Sequence, residues 1–468
     1  MNYNRLLSLF ISSHSCIFIV VITLIVLIHP AAANPAFPLK IGTSQRYLVD
    51  QENIPFLING DTPWSLITGL TNQDLDIYLE DRRTKGFNAV LVNLIEHEFN
   101  GPVNQEGELP FVKKGDFSTP NEAYFKHADW VINKAFEKGI VVFLTPAYIG
   151  YGCGSQGWCE EMIANGPEKM REYGRWIGKR YHSFPNIVWV AGGDFDAHKL
   201  SGAYEAMNAM VEGIKETDLV HPFTSHCDRG SSAMDCYNSV WLDINNTYSD
   251  CNNTARLSLN DYNRSPIKPF FYIEGTYEGE GASEVCVRSQ AYWSILSGST
   301  GHFYGNNPIW FFKPGWKNAL NAPGGSSLTY LYNLFLSRSW YLLVPDQTHQ
   351  VLTAGYMNIG SVDYASAALT SDNHTFIVYL PSRRKITVNL SRLSGVSSRA
   401  WWFNPRNGNA QLIGEFTNNT SVDYTPPSSG DWVLVVDDAS LHLSTPGVIS
   451  SSHLLPPNIF RIDVNPIP

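Results

Sequence analysis

Ile187-Val188-Trp189-Val190-Ala191 runs straight into Gly192-Gly193-Asp194-Phe195-Asp196. Five consecutive apolar residues closed by two glycines read as a buried strand. Acidic residues follow at its carboxyl end. The pattern recurs on both sides. Short apolar runs at 55–61, 87–94 and 140–145 precede it, and runs at 222–226, 240–244, 270–274 and 301–305 follow. Helical patterns fill most of the intervals. Strands alternating with helices predict βα units and a parallel sheet. Eight such units predict an α/β fold, a (β/α)8 TIM barrel.

The helices carry start and stop signals. Thr71 is an N-cap with Asp74 three residues on, and Gly86 closes that helix. Thr119-Pro120-Asn121-Glu122 reads as a capping box with proline at the first helical position. Ala128, Val131, Ile132, Ala135 and Phe136 then follow at helical spacing, as do Met207, Met210, Val211 and Ile214, and Leu328, Leu331, Tyr332, Phe335 and Leu336. These stripes are core faces packed on the barrel. Strands five and six are separated by only a short interval containing Cys227 and Cys236, so the helix there is short or absent.

After about Val344 the helical stripes stop. Runs at 375–379, 385–388, 400–403 and 431–436 are rich in β-formers and separated by turns such as Asn404-Pro405-Arg406-Asn407-Gly408. They predict a small antiparallel β-sandwich. The domains are therefore expected at 34–345 and 346–438, with an irregular tail over 439–468 and no internal repeat.

The first residues are an address. Arg5 precedes the apolar run 16–28, and Pro30-Ala31-Ala32-Ala33 offers small residues for cleavage. A secretory signal peptide over 1–33 fits this arrangement; an uncleaved signal anchor is the alternative. Both place the rest of the chain outside the cytosol. Six cysteines remain after Cys16, and an even number in an exported chain reads as disulfides. Fifteen pairings are open, with Cys153–Cys159 as the first expectation. The sequons include those that begin at Asn245, Asn252, Asn373, Asn389, Asn418 and Asn419, and some of them are expected to carry sugar. The formal charge of −10, with no basic cluster, excludes a nucleic-acid partner.

In such barrels the site lies at the carboxyl ends of the strands. Those ends supply Asp61 and Trp64, Asn93 and His97, Tyr148, Asp194, His226, Tyr248, Glu274 and Tyr277, and Trp310. Carboxylates on strands four and seven face each other across the barrel mouth. Glycoside hydrolysis needs such a pair, one acid to protonate the leaving oxygen and one to attack or to activate water. Asp194 is the expected proton donor and Glu274 the expected nucleophile; Asp196 and Glu278 are the nearest competitors. Asp61, Trp64, Asn93, His97, Tyr148, His226, Tyr248, Tyr277 and Trp310 are the expected substrate contacts, with the tryptophans as sugar-stacking platforms or structural residues. Glu96-His97-Glu98 does not read as a metal site, since alternate residues of an extended chain point apart. No metal and no cofactor are expected.

Several multi-residue stretches resemble the apiosidase-like glycoside hydrolases. They are Val49-Asp50 with Pro55-Phe-Leu-Ile-Asn-Gly-Asp-Thr-Pro-Trp-Ser65, Tyr78-Leu79 with Arg82-Arg83 and Gly86-Phe-Asn-Ala-Val90, Ile187 to Asp194, and Glu274-Gly-Thr-Tyr-Glu-Gly279. Tyr379-Leu-Pro381, Trp402 to Gly408 and Gly430 to Val435 resemble a domain often paired with that family and named for collagen binding. The resemblance implies a (β/α)8 catalytic domain and a retaining mechanism, with Asp194 as acid/base and Glu274 as nucleophile. Relatives release apiose from a complex pectin. The carbohydrate substrate is thus an oligo- or polysaccharide, and association with a cell wall or matrix is the corresponding expectation. No protein partner is predicted. The alternative is a non-catalytic binding protein that kept the barrel and lost turnover.

Overall fold

The structure is a computed structural model that describes residues 34–450. The expected signal peptide lies outside the described residues, as does the last part of the tail. Eight parallel strands form the barrel: β1 (Ile58–Asp61), β2 (Ala89–Asn93), β3 (Val141–Thr145), β4 (Ile187–Gly192), β5 (Phe223–His226), β6 (Asn245–Tyr248), β7 (Phe270–Glu274) and β8 (Gly301–Tyr304). Around them run α1 (Asn72–Thr84), α2 (Glu122–Glu137), α3 (Cys159–Tyr181), α4 (Ala203–Thr217), α5 (Ala233–Cys236), α6 (Thr254–Tyr262), α7 (Glu284–Leu296) and α8 (Pro323–Leu336). The (β/α)8 reading holds. Among the described residues no helix is long and apolar enough to cross a membrane.

The interior is packed by alternate residues of the strands. Leu91, Phe143, Val190, Phe271 and Phe303 meet there, with Phe143 4.9 Å from Phe303 and 5.1 Å from Phe271 between ring centroids. Gly60 makes room for this layer, because a Cβ at that position would collide with the Phe303 ring.

Four sequence expectations need correction. First, β6 is Asn245–Tyr248, and 240–244 is loop. Val240 is fully solvated, and Trp241 packs outward with its indole N–H donating to Asn208 at 2.9 Å. The true strand is polar because its amides do structural work at the barrel seam. β5 and β6 share no ladder. Instead Asn246 Nδ2 donates to Thr224 Oγ1 at 2.9 Å and to Ser225 O at 2.5 Å. The free edge of β6 is taken by the preceding loop, with Tyr248 N donating to Ser231 O at 3.1 Å. Second, the run 55–61 breaks after Phe56. Pro55–Phe56 joins Leu48–Val49 and Lys40–Ile41 in a small antiparallel sheet. Third, the cap of α2 is Asn121, whose side chain accepts from Ala123 N, and Thr119 lies outside the helix. Thr71 does cap α1, accepting from Asp74 N at 3.2 Å. Fourth, the C-terminal module has strands beyond those expected: β9 (Leu343–Pro345), β10 (Leu352–Ala354), β11 (Ser366–Thr370), β15 (Ala410–Thr417) and β16 (Ser421–Tyr424) join β12 (Thr375–Leu380), β13 (Ile386–Asn389), β14 (Ser397–Phe403) and β17 (Trp432–Asp438).

These nine strands form two antiparallel sheets, in the orders β9-β11-β12-β17-β14-β15 and β10-β13-β16. β12 and β17 are buried on both faces, which explains their unbroken apolar runs. Phe376, Val378, Leu434 and Val436 face the second sheet. Ile377, Tyr379, Val433 and Val435 face α7 and α8, so barrel and sandwich share one core. Tyr292 of α7 stacks on Tyr379 at 4.5 Å. Arg288 of α7 donates to both Asp431 oxygens, at 2.6 and 3.0 Å, and Arg338 does the same to Asp437 at 2.9 and 2.8 Å. Beyond β17 the chain drapes back, Gly447 N donating to Ser337 Oγ at 3.0 Å.

Breaking the first of these buried pairs leaves an uncompensated charge. Arg288→Ala is expected to cost about 3–5 kcal/mol, read as a lowered denaturant midpoint. An unchanged midpoint would show that the pair does not hold the two modules together.

The six cysteines pair as Cys153–Cys159, Cys227–Cys236 and Cys251–Cys286. The first is the expected pair. The second closes the loop that lies across the β5–β6 seam.

Candidate active site

A cavity of about 260 Å³ opens at the carboxyl ends of the strands. β4 delivers Asp194 through Gly192, whose φ of +83° suits glycine. A Cβ on Gly193 would strike the backbone of Ile149, so both glycines are needed for this turn. β7 delivers Glu274 through an irregularity in its pairing with β6 between Tyr272 and Glu274. The strict alternation of a strand would send Ile273 and Glu274 to opposite faces, and the bulge lets both turn inward.

Each acid has its own surroundings. His226, at the end of β5, meets Glu274 Oε2 through Nε2 at 2.6 Å. Burial opposes a charge on His226, but the hydrogen bond and the charge of Glu274 prevail, and its pKa is raised. The ring lies edge-on to Trp64 at 5.7 Å, which fixes its plane. Asp194 has no such partner. Burial is the main cause that pushes its carboxyl up to about 6, and the Glu274 charge adds to this while His226 opposes it. The Tyr248 hydroxyl stands 3.5 Å from Asp194 Oδ2 and accepts from Arg229 Nε and Nη2 at 3.3 and 3.2 Å. Burial raises the Tyr248 pKa, keeping the phenol protonated.

Asp194 therefore carries a stability cost that depends on pH. The folded protein holds its proton more tightly than the unfolded chain, whose aspartates titrate near 3.8. The cost is absent below about pH 4, grows between 4 and 6, and is full above 6. Asp194→Asn should thus stabilise the fold at pH 8 by up to about 3 kcal/mol and leave it unchanged at pH 3.5. Thermal denaturation at the two pH values checks this; an equal gain at both would refute it.

Trp64, Tyr148, Tyr248, Tyr277 and Trp310 line the cavity with the two acids. Trp64 Nε1 donates to Tyr277 OH at 2.9 Å, and Trp310 Nε1 donates to Glu280 at 2.8 Å. His226 sits behind Glu274. Three of the expected contact residues lie elsewhere. Asp61 is fully buried outside the cavity, 2.6 Å from Arg82 and 2.7 Å from the Tyr78 hydroxyl. Asn93 is buried, its backbone N donating to Trp64 O at 3.0 Å. His97 meets Ser155 O at 2.6 Å and Glu161 at 2.9 Å.

The competing acids are occupied. Glu278 accepts from Tyr304 OH and from Gly324 N and Gly325 N at the start of α8, at 2.5, 2.8 and 3.0 Å. Asp196 caps a 3-10 turn. Glu96 is buried and accepts from Ser65, Thr68 and Asn100 N, while Glu98 accepts from Ser155. Glu96, His97 and Glu98 thus diverge.

Phe99, Gln156, Arg229, Thr276 and Glu280 line the cavity without having been expected. Arg229 had a signal in its favour, since it lies two residues after Cys227 in a closed loop beside a strand end. Phe99 and Glu280 had none.

The model of a family described as "Apiosidase-like, catalytic domain" matches residues 42–342. A second, "Putative collagen-binding domain of a collagenase", matches 344–437. No curated protein matches the chain. A solved structure named only as a glycoside hydrolase is 27% identical with a TM-score of 0.76, covering 86% of this chain and 98% of its own. A glycoside hydrolase family 5 structure from Bacteroides vulgatus is 25% identical with a TM-score of 0.75, covering 86% and 94%.

Proposed function

We propose, from the premise that the chain belongs to the apiosidase-like family and is a glycosidase, that Asp194 and Glu274 cleave the glycosidic bond with retention of configuration. Glu274 attacks the anomeric carbon while Asp194 protonates the departing oxygen. The Glu274–glycosyl ester is then opened by water, whose proton returns to Asp194. The observation that carries this reading is the contrast between two acids in one cavity. Glu274 is hydrogen-bonded to a histidine of raised pKa, and Asp194 is pushed up to about 6. Such a difference in surroundings is how one site assigns a nucleophile and a proton donor.

His226 orients Glu274. Tyr248, Trp64 and Trp310 contact the sugar, and Arg229 offers its remaining donors to it. The cavity lies below the roughly 300–1,000 Å³ of sites for drug-sized ligands. That supports a terminal sugar unit as the group removed. An apiose-type residue is the sugar that the family's description supports, and a pectic polysaccharide is the polymer proposed to carry it. The sandwich acts as a brace with a wall or matrix polymer nearby. Export is part of the proposal, supported by the 1–33 segment and three disulfides.

The test is a panel of aryl glycosides and pectic oligosaccharides given to wild type, Glu274→Gln and Asp194→Asn. Wild type should release one sugar with its anomeric configuration kept, as seen by NMR at early times. Two amide variants as active as wild type would end the reading.

A further inference from the structure

The chain holds seven N-x-S/T sequons, the one at Asn263-Arg264-Ser265 included, and they fall into two sets. The side chain of Asn245 is held inside the barrel wall: it is 1% exposed, its Nδ2 donates to Asp261 Oδ1 at 3.0 Å, and its Oδ1 accepts from Met234 N at 3.0 Å. Three more have the amide nitrogen engaged: Asn389 Nδ2 donates to Gln350 O at 3.4 Å, Asn418 Nδ2 to Ser394 O at 2.9 Å, and Asn263 Nδ2 to Gln347 Oε1 at 2.7 Å. Asn252, Asn373 and Asn419 are exposed, and among the described residues no side-chain hydrogen bond engages any of them. Their surroundings add a second observation. Asn252 and Val362 line a cavity of about 380 Å³, and Val362 is 60% exposed. Asn373 and Asn419 flank the 394–396 loop at one end of the sandwich. There Ser394 N donates to Asn373 O at 2.8 Å, Asn418 N donates to Val396 O at 3.1 Å, and Val396 is 86% exposed. Each free asparagine thus stands beside a solvated valine that a polar glycan would cover.

We propose that the mature protein carries N-linked glycans on Asn252, Asn373 and Asn419, and none on Asn245, Asn263, Asn389 or Asn418. This rests on the export reading. The amide nitrogen forms a C–N bond to the anomeric carbon of an oligosaccharide carried on a lipid diphosphate. The sugar–phosphate bond breaks, the lipid diphosphate leaves, and the amide loses one proton. Attachment happens to an unfolded chain, so selection acts afterwards. A glycan on Asn245 occupies the space where α6 meets β6, and a chain so modified drops out of the folded population. Folding likewise selects against chains modified at Asn263, Asn389 or Asn418, whose Nδ2 groups are held by Gln347, Gln350 O and Ser394 O, and of the overlapping Asn418 and Asn419 the glycan on the exposed one is retained.

The full chain secreted from a glycosylating yeast, mapped by glycopeptide mass spectrometry, provides the test. Sugar is expected on three peptides, and Asn252→Gln, Asn373→Gln and Asn419→Gln should each remove one glycan's mass from the intact protein. A glycan on Asn245, Asn263, Asn389 or Asn418 in folded protein overturns the proposal. So does an unmodified chain recovered from the medium. A second chain, with residues 1–33 replaced by a yeast secretion leader, separates the two ideas. Glycans on this chain, with the first chain absent from the medium, refute export by its own leader and keep the site assignment. Missing glycans on this chain refute the assignment.

Discussion

Glu274→Gln is expected to lower kcat by about 10⁴-fold or more with little change in fold. The amide keeps the shape of the side chain and an acceptor oxygen for His226 Nε2, now 2.6 Å away. It cannot form the glycosyl ester. The loss should appear in kcat and in kcat/KM together, because the missing bond exists only after attack has begun. Circular dichroism and denaturation midpoint should match wild type. A variant that turns over at the wild-type rate would remove Glu274 from the chemistry, and with it the proposed covalent step.

Asp194→Asn should cost about 10²–10⁴-fold, with a dependence that Glu274→Gln lacks. A proton donor matters most when the departing oxygen is basic. The loss should therefore be largest for alkyl or sugar leaving groups and smallest for nitrophenyl glycosides. Asp194 also sets the alkaline limb of the rate profile. Its carboxyl is pushed up to about 6 and must be protonated to donate, so kcat/KM should fall as pH rises past about 6. The variant should lose that limb. A limb that survives in Asp194→Asn would assign the proton to another group.

How far the sequence reaches can be judged residue by residue. β4 and β7 were legible because strands buried on both faces are written as unbroken apolar runs, and the acids at their ends stand beside glycine turns. β6 was not, because its side chains satisfy hydrogen bonds at the seam in place of backbone partners, leaving Asn245-Asn246-Thr247-Tyr248 with no apolar signature. β11, Ser366-Ala-Ala-Leu-Thr370, hid for a related reason, since small residues pack without a recognisable pattern. In the site, Trp64, Tyr148, Tyr248, Tyr277 and Trp310 follow from topology. Asp61 and His97 sit at the right ends of the chain segments but are claimed by Arg82 and Glu161, partners that only the folded chain brings close.

The shared core of barrel and sandwich has a consequence for how this enzyme can be divided or recombined. Glu274 and α7 belong to one continuous segment, and α7 carries Arg288, which answers to Asp431 about 140 positions downstream. A catalytic fragment ending near 342 would present Tyr292, Trp293 and Phe335 to water, together with a stranded guanidinium. The two modules are therefore one inheritable unit. A graft of new specificity has to enter through the loops at the barrel mouth, and any exchange of the C-terminal half must carry the outer faces of α7 and α8 along with it.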